Sequence, residues 1–67
     1  MNTTPLFEAD ATYTKEVVAR VLSLSTRTIE RLVARKKFAV PFYLGERPYW
    51  RGHAINNFLD AQQQKAK

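Results

Sequence analysis

From Thr14 to Leu22, Val17, Val18 and Val21 fall at helical spacing. Thr14 suits the cap position, and Glu16 sits near the positive end of the helix dipole. Valine is a weak helix former, so tertiary packing must hold this first helix. A second stripe follows a short link, Leu22-Ser23-Leu24-Ser25. Ser25 can cap a helix by accepting from the amide of Arg27 or Thr28, and Ile29, Leu32 and Val33 line one side of that helix. The expected span is about 26–36. Leu24 reads as an apolar residue folded over the core. Two short helices joined by so few residues read as a helix-turn-helix.

After Lys37 the helical period disappears. Aromatic and β-branched residues dominate 38–51, and Pro41 stops any helix. Phe42-Tyr43-Leu44 and Tyr49-Trp50-Arg51 predict two short strands around Gly45-Glu46-Arg47-Pro48, a β-hairpin over about 42–51 with a charged tip. Ile55, Phe58 and Leu59 restore the helical stripe from about His53 to Gln62 and should close the core, with Gly52 as a mediocre cap. Trp50 belongs to the core on this reading, while Tyr43 and Tyr49 suit either core or interface. The expected division is an arm at 1–12, with Leu6 and Phe7 over an edge of the core, a domain at 13–62, and a polar tail at 63–67. The predicted fold is mainly α with a small β-hairpin.

A chain of 67 residues buries only about 60% of the surface that its unfolded form exposes. Without cysteine it has neither disulfides nor thiolate zinc to reinforce it. Its apolar runs are short and broken by charge, so neither a signal peptide nor a membrane span is expected. Charge changes the picture more. The net +5 is concentrated between Arg20 and Arg51, where eight basic residues face only Glu30 and Glu46. Outside that window three lysines meet four acidic residues. Such a segment points to an anionic partner.

Catalysis finds little to stand on. One histidine, His53, scattered carboxylates and two glycines offer no metal set, nucleophile elbow or phosphate loop. A non-enzyme without cofactor is expected. Double-stranded DNA fits better. Arg27, Arg31 and Arg35 recur every fourth residue on the side of the second helix opposite its apolar stripe. Like charges at that spacing repel, and an anion laid along them reverses the penalty. Thr26, Arg27, Glu30 and Arg31 sit where base edges would be read, and the hydroxyls of Thr14, Ser23, Ser25 and Thr28 could donate hydrogen bonds to the phosphates. Arg35, Lys36, Lys37 and Arg20 supply cations for the phosphates, and Arg47 at the hairpin tip could reach a flanking minor groove.

The run YTKEVVARVLSLSTRTIERLV, then KF and LG, then WR followed by INNFL, resembles the AlpA-like prophage regulators. Those are akin to MerR-type winged helix-turn-helix proteins and small phage excisionases. The likeness covers about residues 13–60. It implies three helices plus a wing, with the second helix in the major groove and the wing on the flanking groove. Ser25, Thr26, Arg27 and Arg31 would then be groove contacts and Arg47 the wing contact. It also implies a role in a mobile element, as regulator of an integrase gene or as a recombination directionality factor. Integrase, and further copies of the chain bound cooperatively on DNA, are the implied protein partners, and the bacterial cytoplasm and nucleoid the implied location. The family usually has glycine at the position of Lys36, so Lys36 must take an unfavourable backbone angle or the helix must end differently. It also has proline at the position of Ala39, a loop about one residue longer between Gly45 and Trp50, and acidic residues where Gly52-His53-Ala54 stand. The competing reading is a protein-interaction adaptor, or antitoxin-like module, using the basic helix on an acidic surface. A membrane-surface helix fits poorly, because the apolar stripe is committed to the core.

Overall fold

Thr14 ends one element and begins another. In the computed structural model, which describes residues 6–65, the order is β1 (Thr12–Thr14), α1 (Lys15–Leu22), α2 (Thr26–Ala34), β2 (Phe42–Leu44), β3 (Arg47–Arg51) and α3 (Gly52–Lys65). Residues 1–5 and 66–67, parts of the expected arm and tail, lie outside the described residues. Among the described residues no helix is long and apolar enough to cross a membrane.

The first helix begins as anticipated, with Thr14 Oγ1 accepting from the Val17 amide at 3.3 Å. Its buried side keeps the expected Val18 but is otherwise shifted. Val18 and Ala19 are buried and Leu22 packs on the core, whereas Val21 is 40% exposed. The helix leaves through Ser23 at φ 60°, whose amide donates to the Arg20 carbonyl while that of Leu24 donates to Ala19. That paired closure satisfies carbonyls which the helix end would leave orphaned. Leu24 covers less than expected, at 39% exposure.

Ser25 caps α2 through the Thr28 amide (3.1 Å), the second of the two anticipated partners. Ile29 is fully buried, and Leu32 and Val33 pack beside it. The helix is shorter than the expected 26–36, because it ends at Ala34 and closes by the same device as α1. The Lys36 amide donates to Val33 and the Lys37 amide to Leu32, at 3.0 and 2.8 Å, with Lys36 at φ 59°. Of the two ways out left open by a lysine at this position, the chain takes the left-handed backbone.

The hairpin forms, with corrected limits. Leu44 pairs with Arg47, so only Gly45 and Glu46 make the turn, with Gly45 at φ 65°. A glycine at positive φ in the first turn position suits the twist of a two-residue hairpin. Pro48 therefore lies in β3 rather than in the loop. It is tolerated because β1 stops opposite Tyr49, leaving Pro48 a neighbour on the β2 side alone.

The main departure from a lone hairpin is a third strand. β1 pairs antiparallel with β3, giving the order β1-β3-β2, with Tyr13 opposite Trp50. Both those residues face the core. Trp50 is buried, donates from Nε1 to the Ala39 carbonyl at 2.9 Å, and meets Phe38 edge-on. Phe38 in turn packs against Phe58 of α3.

Residues 7–11 are tied down closely, whereas Leu6, expected with Phe7 over an edge of the core, is 63% exposed. Phe7 is buried edge-on against Tyr13. Asn56 clamps its backbone on both sides: Oδ1 accepts from the Phe7 amide (3.2 Å) and Nδ2 donates to its carbonyl (2.7 Å). The amides of Gly52 and His53 donate to the carbonyls of Ala11 and Ala9, satisfying the start of α3 from another segment. Gly52 is thus more than a mediocre cap. A Cβ there would lie 1.8 Å from the Glu8 carbonyl oxygen, so the crossing of the arm requires glycine. The last helix also runs on to Lys65, past the expected stop near Gln62.

Candidate nucleic-acid interface

Burial of Ile29 fixes the rotation of α2, and that sends the opposite side to solvent. Arg27, Glu30, Arg31 and Arg35 are all exposed, while Thr26 and Thr28 are half-buried. Lys36 and Lys37 continue the cationic run into the exit turn, both exposed. Arg20 is exposed in the last turn of α1, and Arg47 is exposed where β3 leaves the hairpin turn. Among the described residues, none of the seven basic side chains proposed from the sequence for this surface forms an ion pair.

Two of the hydroxyls have local work. Ser25 Oγ accepts the Thr28 amide and lies 3.0 Å from Thr28 Oγ1, so the pair shapes the start of α2 as well as facing outward. This fixes the first turn of the helix, where polar side chains would meet base edges.

Glu30 is the one acid in α2, and the structure supplies a partner that the sequence alone did not reveal. Lys15 Nζ, at the start of α1, donates to Glu30 Oε2 at 2.5 Å. That hydrogen bond, then the lysine charge and lastly Arg27, hold the Glu30 carboxyl below its ordinary value. Fifteen residues separate the pair, a spacing that no intrahelical rule connects, so no local pattern signals it. The ion pair spans α1 and α2 and draws Glu30 toward the hairpin side of the helix. There a groove of about 300 Å³ separates α2 from the hairpin, bordered by Lys15, Glu30, Ala34, Tyr43 and Pro48. A smaller notch of about 140 Å³ lies under the tip, bordered by Thr14, Glu16, Glu46 and Arg47.

The described residues contain no group of three or more His, Cys, Asp or Glu side chains able to hold a metal. What α2 offers is a capped helix with positive charge on its exposed side. Guanidinium groups bind phosphate and guanine edges in bidentate fashion, and a helix of this diameter fits the major groove of duplex DNA. No protein-family model, no curated protein and no solved structure matches the chain.

Proposed function

We propose that this protein binds double-stranded DNA sequence-selectively, as a winged helix-turn-helix. In this reading α1 and α2 form the helix-turn-helix and α2 lies in the major groove. Arg27 and Arg31 read base edges there, with Thr26 and Glu30 beside them and Ser25 and Thr28 at the helix start. Arg35, Lys36, Lys37 and Arg20 hold phosphates, and the β2–β3 hairpin carries Arg47 to the flanking minor groove. The observation that carries the reading is that Arg27, Arg31 and Arg35 are exposed on the side of α2 opposite Ile29, without an ion-pair partner among the described residues. A solvated arginine row repels itself, and a polyanion is the partner that turns it into a source of affinity.

The resemblance of residues 13–60 to AlpA-like regulators extends the proposal to a mobile element. There the protein would control an integrase gene or direct excision, in the bacterial cytoplasm, with integrase as a protein partner and further copies bound cooperatively on DNA. The test is competitive DNA binding at several salt concentrations, using duplexes selected from a random pool. A selected sequence should emerge, and affinity should fall steeply with salt. Arg27→Ala should lose discrimination, worth roughly 1–3 kcal/mol for a bidentate guanine contact, while Lys37→Ala weakens all duplexes alike. Failure to bind any duplex at low salt would refute the reading.

A further inference from the structure

The side of the sheet turned away from the core has no role in the duplex reading beyond Arg47. Strand alternation assigns it: with Tyr13 and Trp50 inward, Thr12, Thr14, Tyr49, Arg51 and Arg47 point outward, as do Phe42 and Leu44 through their pairing with Tyr49 and Arg47. Phe42 is 38% exposed and Leu44 59%, and neither they nor Tyr49 pack on the core. The rings of Phe42 and Tyr49, directly opposite in register, stack with centroids 6.0 Å apart and planes 30° apart.

Two flat rings on a solvent-facing sheet leave π surface open. On β3, Arg47 and Arg51 lie two residues to either side of Tyr49, roughly 6.6 Å away along the strand. They are the sole charged side chains in the three strands, which contain no carboxylate. Arg51 is steadied by donating from Nη1 to the Asp10 carbonyl at 3.0 Å. Acidic residues border the face at two places: Glu16 and Glu46 line the notch with Arg47, and Asp10 lies beside Arg51, which bonds its backbone carbonyl.

We propose that this outer sheet face is a second nucleic-acid site that takes unpaired bases of a single strand. Phe42 and Tyr49 form the stacking platform, and Arg47 and Arg51 meet the phosphates on either side. Every base has a π face, so such a platform binds with little sequence preference, and its arginines make the binding salt-dependent. A paired duplex hides its base faces, so Phe42 separates this site from the α2 surface even though Arg47 serves both.

The experiment is fluorescence anisotropy of a labelled oligothymidylate, which cannot self-pair, beside a labelled duplex at the same low salt. Circular dichroism melts check each variant's fold. Wild type should bind the oligothymidylate. Phe42→Ala and Tyr49→Leu should each weaken that binding roughly 5- to 150-fold, the range for removing one stacked base, and leave duplex affinity unchanged. Phe42→Trp should restore it, and Arg31→Ala should weaken the duplex far more than the single strand. Absence of oligothymidylate binding, or equal binding by folded Phe42→Ala, would overturn the proposal. So would parallel losses on duplex and single strand in Phe42→Ala, which would make the ring a wedge in duplex DNA. Sedimentation showing wild-type self-association abolished by Phe42→Ala would assign the face to a second copy instead. Because the two probes are read separately, a protein that fails on duplex DNA alone leaves this site standing.

Discussion

Lys36 holds a backbone angle of φ 59° that side chains ordinarily avoid, at the exit of the helix proposed to lie on DNA. Replacing it with glycine should raise stability and lower DNA affinity together. A left-handed angle costs an L-residue roughly 1–2 kcal/mol. Glycine removes that cost but loses about 0.5–1 kcal/mol through its greater freedom in the unfolded chain. The net gain lies between about 0 and 1.5 kcal/mol, and its midpoint of about 0.75 kcal/mol raises the melting temperature of a domain of this size by roughly 3–6 °C. Both hydrogen bonds of the exit, Lys36 to Val33 and Lys37 to Leu32, are backbone bonds and survive the change. Lys36→Ala isolates the charge, since alanine suffers the same angle. Thermal melts followed by circular dichroism should therefore rank Lys36→Gly above Lys36→Ala. Both variants should show a salt dependence of duplex binding shallower by about 0.9 in logarithmic slope, as expected when the protein neutralises one phosphate fewer. A Lys36→Gly variant melting no higher than Lys36→Ala would refute the strain argument. An unchanged salt slope would remove Lys36 from the interface.

Three further outcomes test the fold and its electrostatics. Trp50→Phe leaves the Ala39 carbonyl unpaired and a void in the core, so urea midpoints should record a loss of about 2–4 kcal/mol; a loss too small to measure would mean the indole hydrogen bond contributes nothing. Asn56→Ala removes both bonds to Phe7 and should cost about 1–3 kcal/mol. Hydrogen exchange should then quicken at Phe7, Gly52 and His53 but not at Ile29, and uniform acceleration would show that the arm has no separate anchoring. Glu30 should titrate below the ordinary glutamate range in a carboxyl-detected NMR experiment, and return toward it in Lys15→Met. The sign follows from the lowered value: the ion pair supports the fold above the ordinary glutamate pKa, and its contribution fades as pH falls through the lowered one. An unmoved Glu30 titration in Lys15→Met would break the assigned cause.

What the sequence made legible were elements decided within one or two turns of chain. Ser25 and Thr14 announce helix starts by chemistry that acts two or three residues away, and Ile29-Leu32-Val33 sets the rotation of α2, hence the outward side of Arg27, Arg31 and Arg35. Gly45 marks the hairpin by its own backbone freedom. Local misses are small, such as the outward turn of Val21 and the early end of α2 at Ala34, and the larger ones are long-range. Thr12–Thr14 is too short to show a period, and it becomes a strand because β3 offers a free edge beside it. Asn56 looks like a polar residue in an amphipathic helix until Phe7 arrives from 49 positions away. Gly52 reads as a weak cap because nothing nearby in sequence reveals that the arm crosses it. At the candidate site, the arginine face could be anticipated, but the Lys15–Glu30 pair and the outward stacking of Phe42 on Tyr49 depend on elements that meet only after folding.

Amide chemical-shift changes during titration with a selected duplex report whether α2 presents its arginine side to DNA, as proposed. The largest changes should fall on residues 25–37 and on the hairpin tip at 45–47, with α3 beyond Ile55 nearly silent. Changes centred on α3, with Arg27, Arg31 and Arg35 unmoved at saturation, would rule out α2 as the DNA-binding helix.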